Sequence, residues 1–332
     1  MKIIAYHVQP YEVEAFKEWS KENDIEVVLK EELLTEETVE WAKGFDGIST
    51  QQVIPVKSEA IFKKIEEFGI TQLSTRTAGV DMFDGELAKK HGVHITNVPR
   101  YSGNAIAELA LSHAMYLLRN MGKIQHAQDE CDFRWNKDYI AREVRNCTVG
   151  IVGTGYIGFT AARLFHGLGA KVIGFDKIHN ENAKGILEYR DSLEELLKES
   201  DIVSLHLPLF EENIHMINKD NLKLMKNDAI LINTGRGGLI KTDDLIEALE
   251  NGTIGAAGLD VLESETLYVN QIVDKKKIEG SHIEKLRSMH NTIVSGHFAF
   301  FTKNAVADLV SISCNNIKTY LETGKEVNRT NK

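Results

Sequence analysis

The chain has 332 residues, more than a single hydrophobic core usually organises, so two domains are expected, and 42% hydrophobic residues suits a globular protein. A net charge of −10 with no basic cluster argues against nucleic acid and anionic membrane as partners, because both are bound through concentrated Lys and Arg; the expected partner is a small molecule. The opening "MKIIAYHVQP" carries no cleavage site, no stretch reaches the roughly 18 apolar residues of a membrane span, and Cys131, Cys147 and Cys314 lack metal or disulfide spacing, so a cytoplasmic protein without a metal is expected.

Short apolar runs alternate with helix-period segments from the start. "KIIAYH" reads as a strand, Val13, Phe16 and Trp19 fall at helical spacing, and "IEVVL" and "FDGIS" read as strands. "SEAIFKKIEEFG" reads as a helix that stops at Gly69, followed by strand "TQLST", helix "GELAKKHG" and strand "HITNV". This βαβ order predicts a small parallel sheet with helices over the first hundred or so residues. Pro99 and the turn at Ser102, Gly103 and Asn104 then precede a long helix. Its Ile106, Leu109, Leu111, Met115 and Leu118 spread over much of the surface, which suits either a core or a second subunit. A second series runs through "CTVGIVGTGYIG", "KVIGFDK", "SDIVSLHLP", "DAILINTGRGG", "TIGAAGLDVLE" and "NTIVSGH", six strand candidates in all. The final helix, from about Thr302 to Glu322, has no place in that second sheet and is free to return to the first domain.

Gly153, Gly155 and Gly158 form GxGxxG directly after the strand "VGIV" and before a helix, and Asp176 ends the next strand. Gly153 allows the tight turn, Gly155 lets backbone N–H groups approach a pyrophosphate, and Gly158 lets the helix lie close on the sheet. Asp176 can accept both hydroxyls of a ribose and would repel a 2′-phosphate, which predicts NAD over NADP. Three further polar residues follow strands of the same sheet: Arg236 after "AILINTG", Glu265 beyond "GAAGLD", and His297 after "NTIVSG". Ligands in open α/β sheets bind at that carboxyl edge.

With these motifs in hand, the chain resembles the D-isomer-specific 2-hydroxyacid dehydrogenase family, in its branch of D-lactate, D-2-hydroxyisocaproate and (R)-2-hydroxyglutarate dehydrogenases. The resemblance covers nearly the whole chain and is carried by "NVPRYSGNAIAELA", "EVRNCTVGIVGTGYIG", "LHLPL", "MKNDAILINTGRGGLI", "AAGLDVLESE" and "GHFAFFT". It implies two doubly wound parallel-sheet α/β domains with an active-site cleft between them. Residues 1–101 and 300–332 would form a flavodoxin-like substrate domain, and residues 102–299 a Rossmann-type NAD-binding domain. It makes Arg236 the catalytic arginine, Glu265 its acid partner and His297 the acid/base. Substrate contacts fall on Thr50, Ala78, Gly79, Tyr101 and Phe300. Cofactor contacts fall on Gly153, Gly155, Tyr156, Ile157, Gly158, Asp176, Pro208, Thr234, Gly235 and Asp260. A homodimer through the coenzyme domain, acting on a 2-oxo or 2-hydroxy acid, is the implied assembly.

The family usually has proline before the catalytic histidine, whereas this chain has Gly296, and it has Gly103 where close relatives have proline; both changes predict a less restrained site. Lactate enzymes carry a bulky aromatic where this chain has Thr50, which predicts room for a side chain larger than methyl, while Phe300 resembles the lactate-type wall. The expected reaction is reversible reduction of a 2-oxo acid to the (R)-2-hydroxy acid, D-lactate dehydrogenase-like. The alternatives are D-2-hydroxyisocaproate or (R)-2-hydroxyglutarate as product, or a non-catalytic NAD-sensing module.

Overall fold

The computed structural model describes residues 1–263 and 265–331 and divides into two compact units, Met1–Ser102 with Phe301–Lys332, and Gly103–Phe300. Unit 1 holds five parallel strands: β1 (Lys2–Tyr6), β2 (Glu26–Leu29), β3 (Gly47–Thr50), β4 (Gln72–Thr75) and β5 (His94–Thr96), in the order β2-β1-β3-β4-β5. That is the flavodoxin-like order. Strands β3 and β4 are buried throughout, as parallel strands covered on both faces must be. The last helix, Lys303–Thr323, packs Val310, Cys314 and Ile317 against Ile3, Ala5 and Trp19, so the end of the chain completes the core begun at its start.

Unit 2 holds seven parallel strands: β6 (Thr148–Val152), β7 (Lys171–Phe175), β8 (Glu188–Tyr189), β9 (Ile202–Leu205), β10 (Ile230–Asn233), β11 (Ala256–Leu259) and β12 (Thr292–Val294). Their order is β12-β11-β10-β9-β6-β7-β8, the Rossmann order extended by one strand. The expected pair of doubly wound α/β sheets is borne out. Six of these strands are legible as apolar runs; β8 is not, because two residues, one of them Glu188, show no periodicity. The helix Gly103–Leu118 buries Ala107, Ala110, Ala114, Leu117 and Leu118 in the core of this unit. Ile106, Leu109, Leu111 and Met115 remain only half-buried. Among the described residues no helix is long and apolar enough to cross a membrane, and no cluster of His, Cys, Asp and Glu could hold a metal ion.

Candidate active site

The second sheet reverses its order between β6 and β9, and the glycine turn leaves β6 at that reversal. Gly153 takes φ +89°, and a Cβ there would stand 2.8 Å from the His206 carbonyl oxygen; one on Gly158 would collide with the Gly153 carbonyl. Around Gly155 the space is open. The helix Tyr156–Gly167, whose first residues are Tyr156 and Ile157, therefore begins where the turn leaves room for a pyrophosphate. Asp176 follows β7. Its Oδ2 accepts from the Thr154 N–H at 2.6 Å and its Oδ1 from the Ile178 N–H at 3.1 Å, which fixes the carboxylate at the mouth of the turn. The short strand β8 places the Tyr189 hydroxyl 2.8 Å from Thr154 Oγ1 and 2.7 Å from the Asn180 nitrogen, bracing the same corner. Pro208 is exposed beyond β9, the Gly235 N–H donates to Asn233 Oδ1, and buried Thr234 has a hydroxyl without a partner among the described residues. An open helix N-terminus, a fixed carboxylate and an orphaned hydroxyl all suit a bound dinucleotide.

Beyond β10, β11 and β12 lie Arg236, Glu265 and His297. His297 Nδ1 is 3.1 Å from Glu265 Oε1, and its Nε2 has no partner among the described residues. The hydrogen bond to Glu265 holds the imidazole's proton affinity above its ordinary value; burial and Arg236 oppose this, while the charges of Glu265 and Asp260 add to it. The His297 ring meets Phe300 edge-on at 6.5 Å. Arg236 is exposed, and its Nη1 donates to the Gly235 carbonyl at 2.9 Å. No carboxylate pairs with it among the described residues, so most of its donor fork stays available.

The loop that carries His297 is unusual in its backbone. Gly296 takes φ +77° and His297 φ +67°, two consecutive left-handed residues. Proline, fixed near −65°, cannot occupy the first position. At the second, a side chain with a Cβ costs roughly 1–2 kcal/mol. Asp260 offsets that cost. Its carbonyl accepts from the His297 N–H at 2.6 Å, its Oδ1 from the Phe298 N–H at 2.8 Å and from the Ser295 hydroxyl, and its Oδ2 from the Ala299 N–H at 3.0 Å. Read from the sequence as a cofactor contact, Asp260 thus commits its buried carboxylate to the segment 295–299. The loop expected to be loose because of Gly296 is pinned from beneath.

Two acids, Glu263 and Glu265, lie on the segment facing this loop. Glu263 Oε2 accepts from the Thr242 N–H at 2.8 Å and hydroxyl at 2.7 Å, and its Oε1 lies 2.5 Å from His215 Nε2. Burial works against ionisation of Glu263, but the Thr242 and His215 hydrogen bonds together hold it below its usual value. Glu265 is the acid on His297.

In unit 1, Thr50, expected to contact substrate, instead ends β3 fully buried and does not line the cavity beside the turn after β4, and its hydroxyl has no partner among the described residues; Tyr101 is half-buried. In the turn after β4, the Ala78 carbonyl accepts from Asn97 Nδ2 and the Gly79 carbonyl from the Thr77 hydroxyl, each at 2.6 Å. The N–H groups of Ala78 and Gly79 donate to nothing among the described residues, so adjacent donors stand ready for an anion. A cavity of about 200 Å3 opens beside them, bounded by Gln52, Thr75, Thr77, Gly79 and Phe83 among others. Beneath the turn, fully buried Arg76 binds Glu12 through Nε at 2.7 Å and Nη2 at 3.1 Å, and also reaches Ser49 Oγ and the carbonyls of Tyr6 and His7. This satisfied ion pair ties the carboxyl ends of β1, β3 and β4 together. The only sequence signal for it was a charged residue at the end of an otherwise uncharged strand.

A nucleotide turn whose sheet also presents an acid-paired imidazole and an uncommitted guanidinium places the protein among NAD-dependent oxidoreductases. Residues 111–299 match the NAD-binding domain of D-isomer-specific 2-hydroxyacid dehydrogenases. The chain is 46% identical over 332 residues to the D-2-hydroxyacid dehydrogenase (NAD(+)) of Clostridioides difficile, covering 100% of both proteins. It is 42% identical to the D-lactate dehydrogenase of Lactiplantibacillus plantarum, over 98% of each. The D-lactate dehydrogenase of Lactobacillus jensenii, solved with NAD+, superposes with a TM-score of 0.96 at 38% identity over 99% of both chains. The chain belongs to the D-isomer-specific 2-hydroxyacid dehydrogenase family, and its cofactor is NAD.

Proposed function

We propose that the protein reversibly reduces a small 2-oxo acid to the (R)-2-hydroxy acid, with a substrate range that starts at pyruvate and extends to longer 2-oxo acids. The observation that carries the reading is the His297–Glu265 pair, with Nε2 unpartnered, on the same sheet edge as the open fork of Arg236. When bound, the nicotinamide supplies the hydride. Charge then builds on the carbonyl oxygen, which needs a proton donor and a cation. His297 Nε2–H donates that proton, and Glu265 stabilises the imidazolium that must be present beforehand. Arg236 orients carboxylate and carbonyl oxygen through its planar fork. The free N–H groups of Ala78 and Gly79 hold the substrate carboxylate, with Tyr101 beside them. In the oxidation direction neutral His297 accepts the proton.

The cavity beside Gly79 supports a substrate larger than pyruvate, while Phe300 against the His297 ring supports a compact one. Asp176 supports NAD over NADP, since its carboxylate would face a 2′-phosphate. We further propose a homodimer through unit 2. Its support is apolar surface on that unit: Trp135 is fully exposed, Phe133 and Ile140 are strongly so, and Ile106, Leu109 and Met115 are half-buried on one helix. Steady NADH consumption with a panel of pyruvate, branched, aromatic and dicarboxylic 2-oxo acids tests the reaction and ranks the substrates. Turnover with none of them would leave a non-catalytic NAD-binding protein.

A further inference from the structure

The turn after β4 offers N–H groups to an anion, and the peptide that joins Ala78 to Gly79 is gripped from its opposite edge. A peptide unit is planar and trans, so the Ala78 carbonyl and the Gly79 N–H point in opposite directions from one rigid plate. The Ala78 carbonyl accepts from Asn97 Nδ2 at 2.6 Å, while the Gly79 N–H donates to nothing among the described residues. Whatever fixes that carbonyl therefore aims that N–H. The next peptide is fixed separately, by the Thr77 hydroxyl on the Gly79 carbonyl at 2.6 Å. Glycine at position 79 makes the grip matter, because a residue without a Cβ resists reorientation of the plate less than any other.

Asn97 reaches the turn because the chain beyond β4 and β5 stays paired past the strand ends: the Val98 N–H donates to the Thr77 carbonyl at 3.0 Å. The end of the chain holds the backbone of Asn97 on both sides. Its carbonyl accepts from Asn316 Nδ2 on the last helix at 2.8 Å, and its N–H donates to the Asn328 carbonyl at 3.2 Å. Asn316 is buried; its Oδ1 accepts from Asn328 Nδ2 at 2.9 Å, and its Nδ2 also reaches Ser74 Oγ at 3.3 Å. Three asparagines from distant parts of the chain thus form one run of hydrogen bonds that ends on the Ala78 carbonyl.

We propose that Asn97 is a positioning residue for the substrate carboxylate: by holding the Ala78 carbonyl it keeps the Gly79 N–H turned toward the anion. The inference rests on the reading that the N–H groups of Ala78 and Gly79 hold that carboxylate. Donation to the carbonyl also polarises the peptide and strengthens its N–H as a donor. Asn97 acts on the holding of the acid, while hydride and proton transfer belong to other groups, so its loss is felt in affinity rather than in the chemical step.

Asn97→Leu removes the donor and fills nearly the same space, whereas Asn97→Ala removes both donor and volume. Each should raise KM for the preferred 2-oxo acid about fivefold, with kcat within about twofold of wild type, since one hydrogen bond's worth of alignment is lost. The Kd of oxamate, a non-reducible analogue of pyruvate, measured on the enzyme with NADH bound, should weaken by the same factor. The Kd of NADH itself should stay within about twofold of wild type. A merely structural role would instead lower the active fraction, and so kcat, at unchanged KM and oxamate Kd. KM and oxamate Kd at wild-type values in both variants overturn the proposal. So does a rise confined to Asn97→Ala while Asn97→Leu keeps wild-type values, which would make Asn97 a space-filler. If the wild type neither reduces a 2-oxo acid nor binds oxamate, the underlying reading has failed and takes this inference with it. If the wild type does both and the two variants match it, only the role of Asn97 is lost.

Discussion

Glu263 and Glu265 lie two residues apart, each against a histidine, yet their second oxygens differ. Glu263 Oε2 is engaged by the N–H and hydroxyl of Thr242, so the His215 pair is one bond in a closed structural network. Glu265 Oε2 has no partner among the described residues, and His297 presents an open Nε2 beside a strained backbone held by Asp260. The difference teaches that a His–Glu pair is read by what else holds its acid, since His215 Nδ1 is as open as His297 Nε2 among the described residues and His215 also takes a positive φ, 55°. Where neighbouring donors hold the carboxylate, the pair is tied into the fold. Where the acid serves the imidazole without them, at the sheet edge that carries the nucleotide turn, the ring can exchange a proton with a substrate.

Breaking the two pairs should separate them sharply. His297→Ala should lower kcat by roughly three or more powers of ten, with the Kd for NADH within about twofold of wild type by fluorescence titration. A kcat within tenfold of wild type would put His297 in the same class as His215. Arg236→Lys should cost about a hundredfold in kcat/KM for the 2-oxo acid, because a point charge cannot reproduce a bidentate fork. A near-normal KM and kcat would mean that another cation orients the substrate. NADH should outperform NADPH by about tenfold or more in kcat/KM, and equal values would remove Asp176 from cofactor choice.

The smallest effect belongs to the structural pair. Glu263→Gln should lower unfolding stability by about 1 kcal/mol at neutral pH and leave the pH profile of catalysis unmoved. Because Glu263 titrates lower in the fold than in an unfolded chain, its contribution is present above the unfolded value, near 4.3, and is lost as pH falls through the folded one. The stability gap between wild type and variant should therefore close in acid. A gap that persists there would mean that the hydrogen bonds do not depend on the ionised carboxylate.

Much of this was legible in the sequence. The apolar runs of β1 to β7 and β9 to β12 announce parallel strands, and the glycine spacing with Asp176 announces a nucleotide turn. Arg236, Glu265 and His297 stand out because polar residues follow strands of one sheet. Spacing alone could not rank Glu265 above Glu263, since both fall on the same short segment and only their partners distinguish them. The work of Asp260 was hidden because its carboxylate acts on backbone N–H groups some 38 residues away, which no local pattern records. The left-handed backbone at His297 was equally invisible, because a histidine does not announce positive φ as glycine does. The buried Arg76–Glu12 pair joins distant parts of unit 1, and only the assembled sheet brings them together.

The central claim is that Glu265 sets the protonation of His297, and the alkaline limb of 2-oxo acid reduction reads it directly. In wild type, kcat/KM should hold above the ordinary histidine value of about 6.5, because the Glu265 hydrogen bond raises the imidazole's proton affinity. A raised value keeps the donor protonated as pH climbs, and activity is lost only as pH passes through it. Glu265→Gln keeps the shape and removes the charge, so the limb should move to lower pH by roughly one unit. A limb that stays at the wild-type position in Glu265→Gln would contradict the account, because the acid on the ring would then have no hold over its proton.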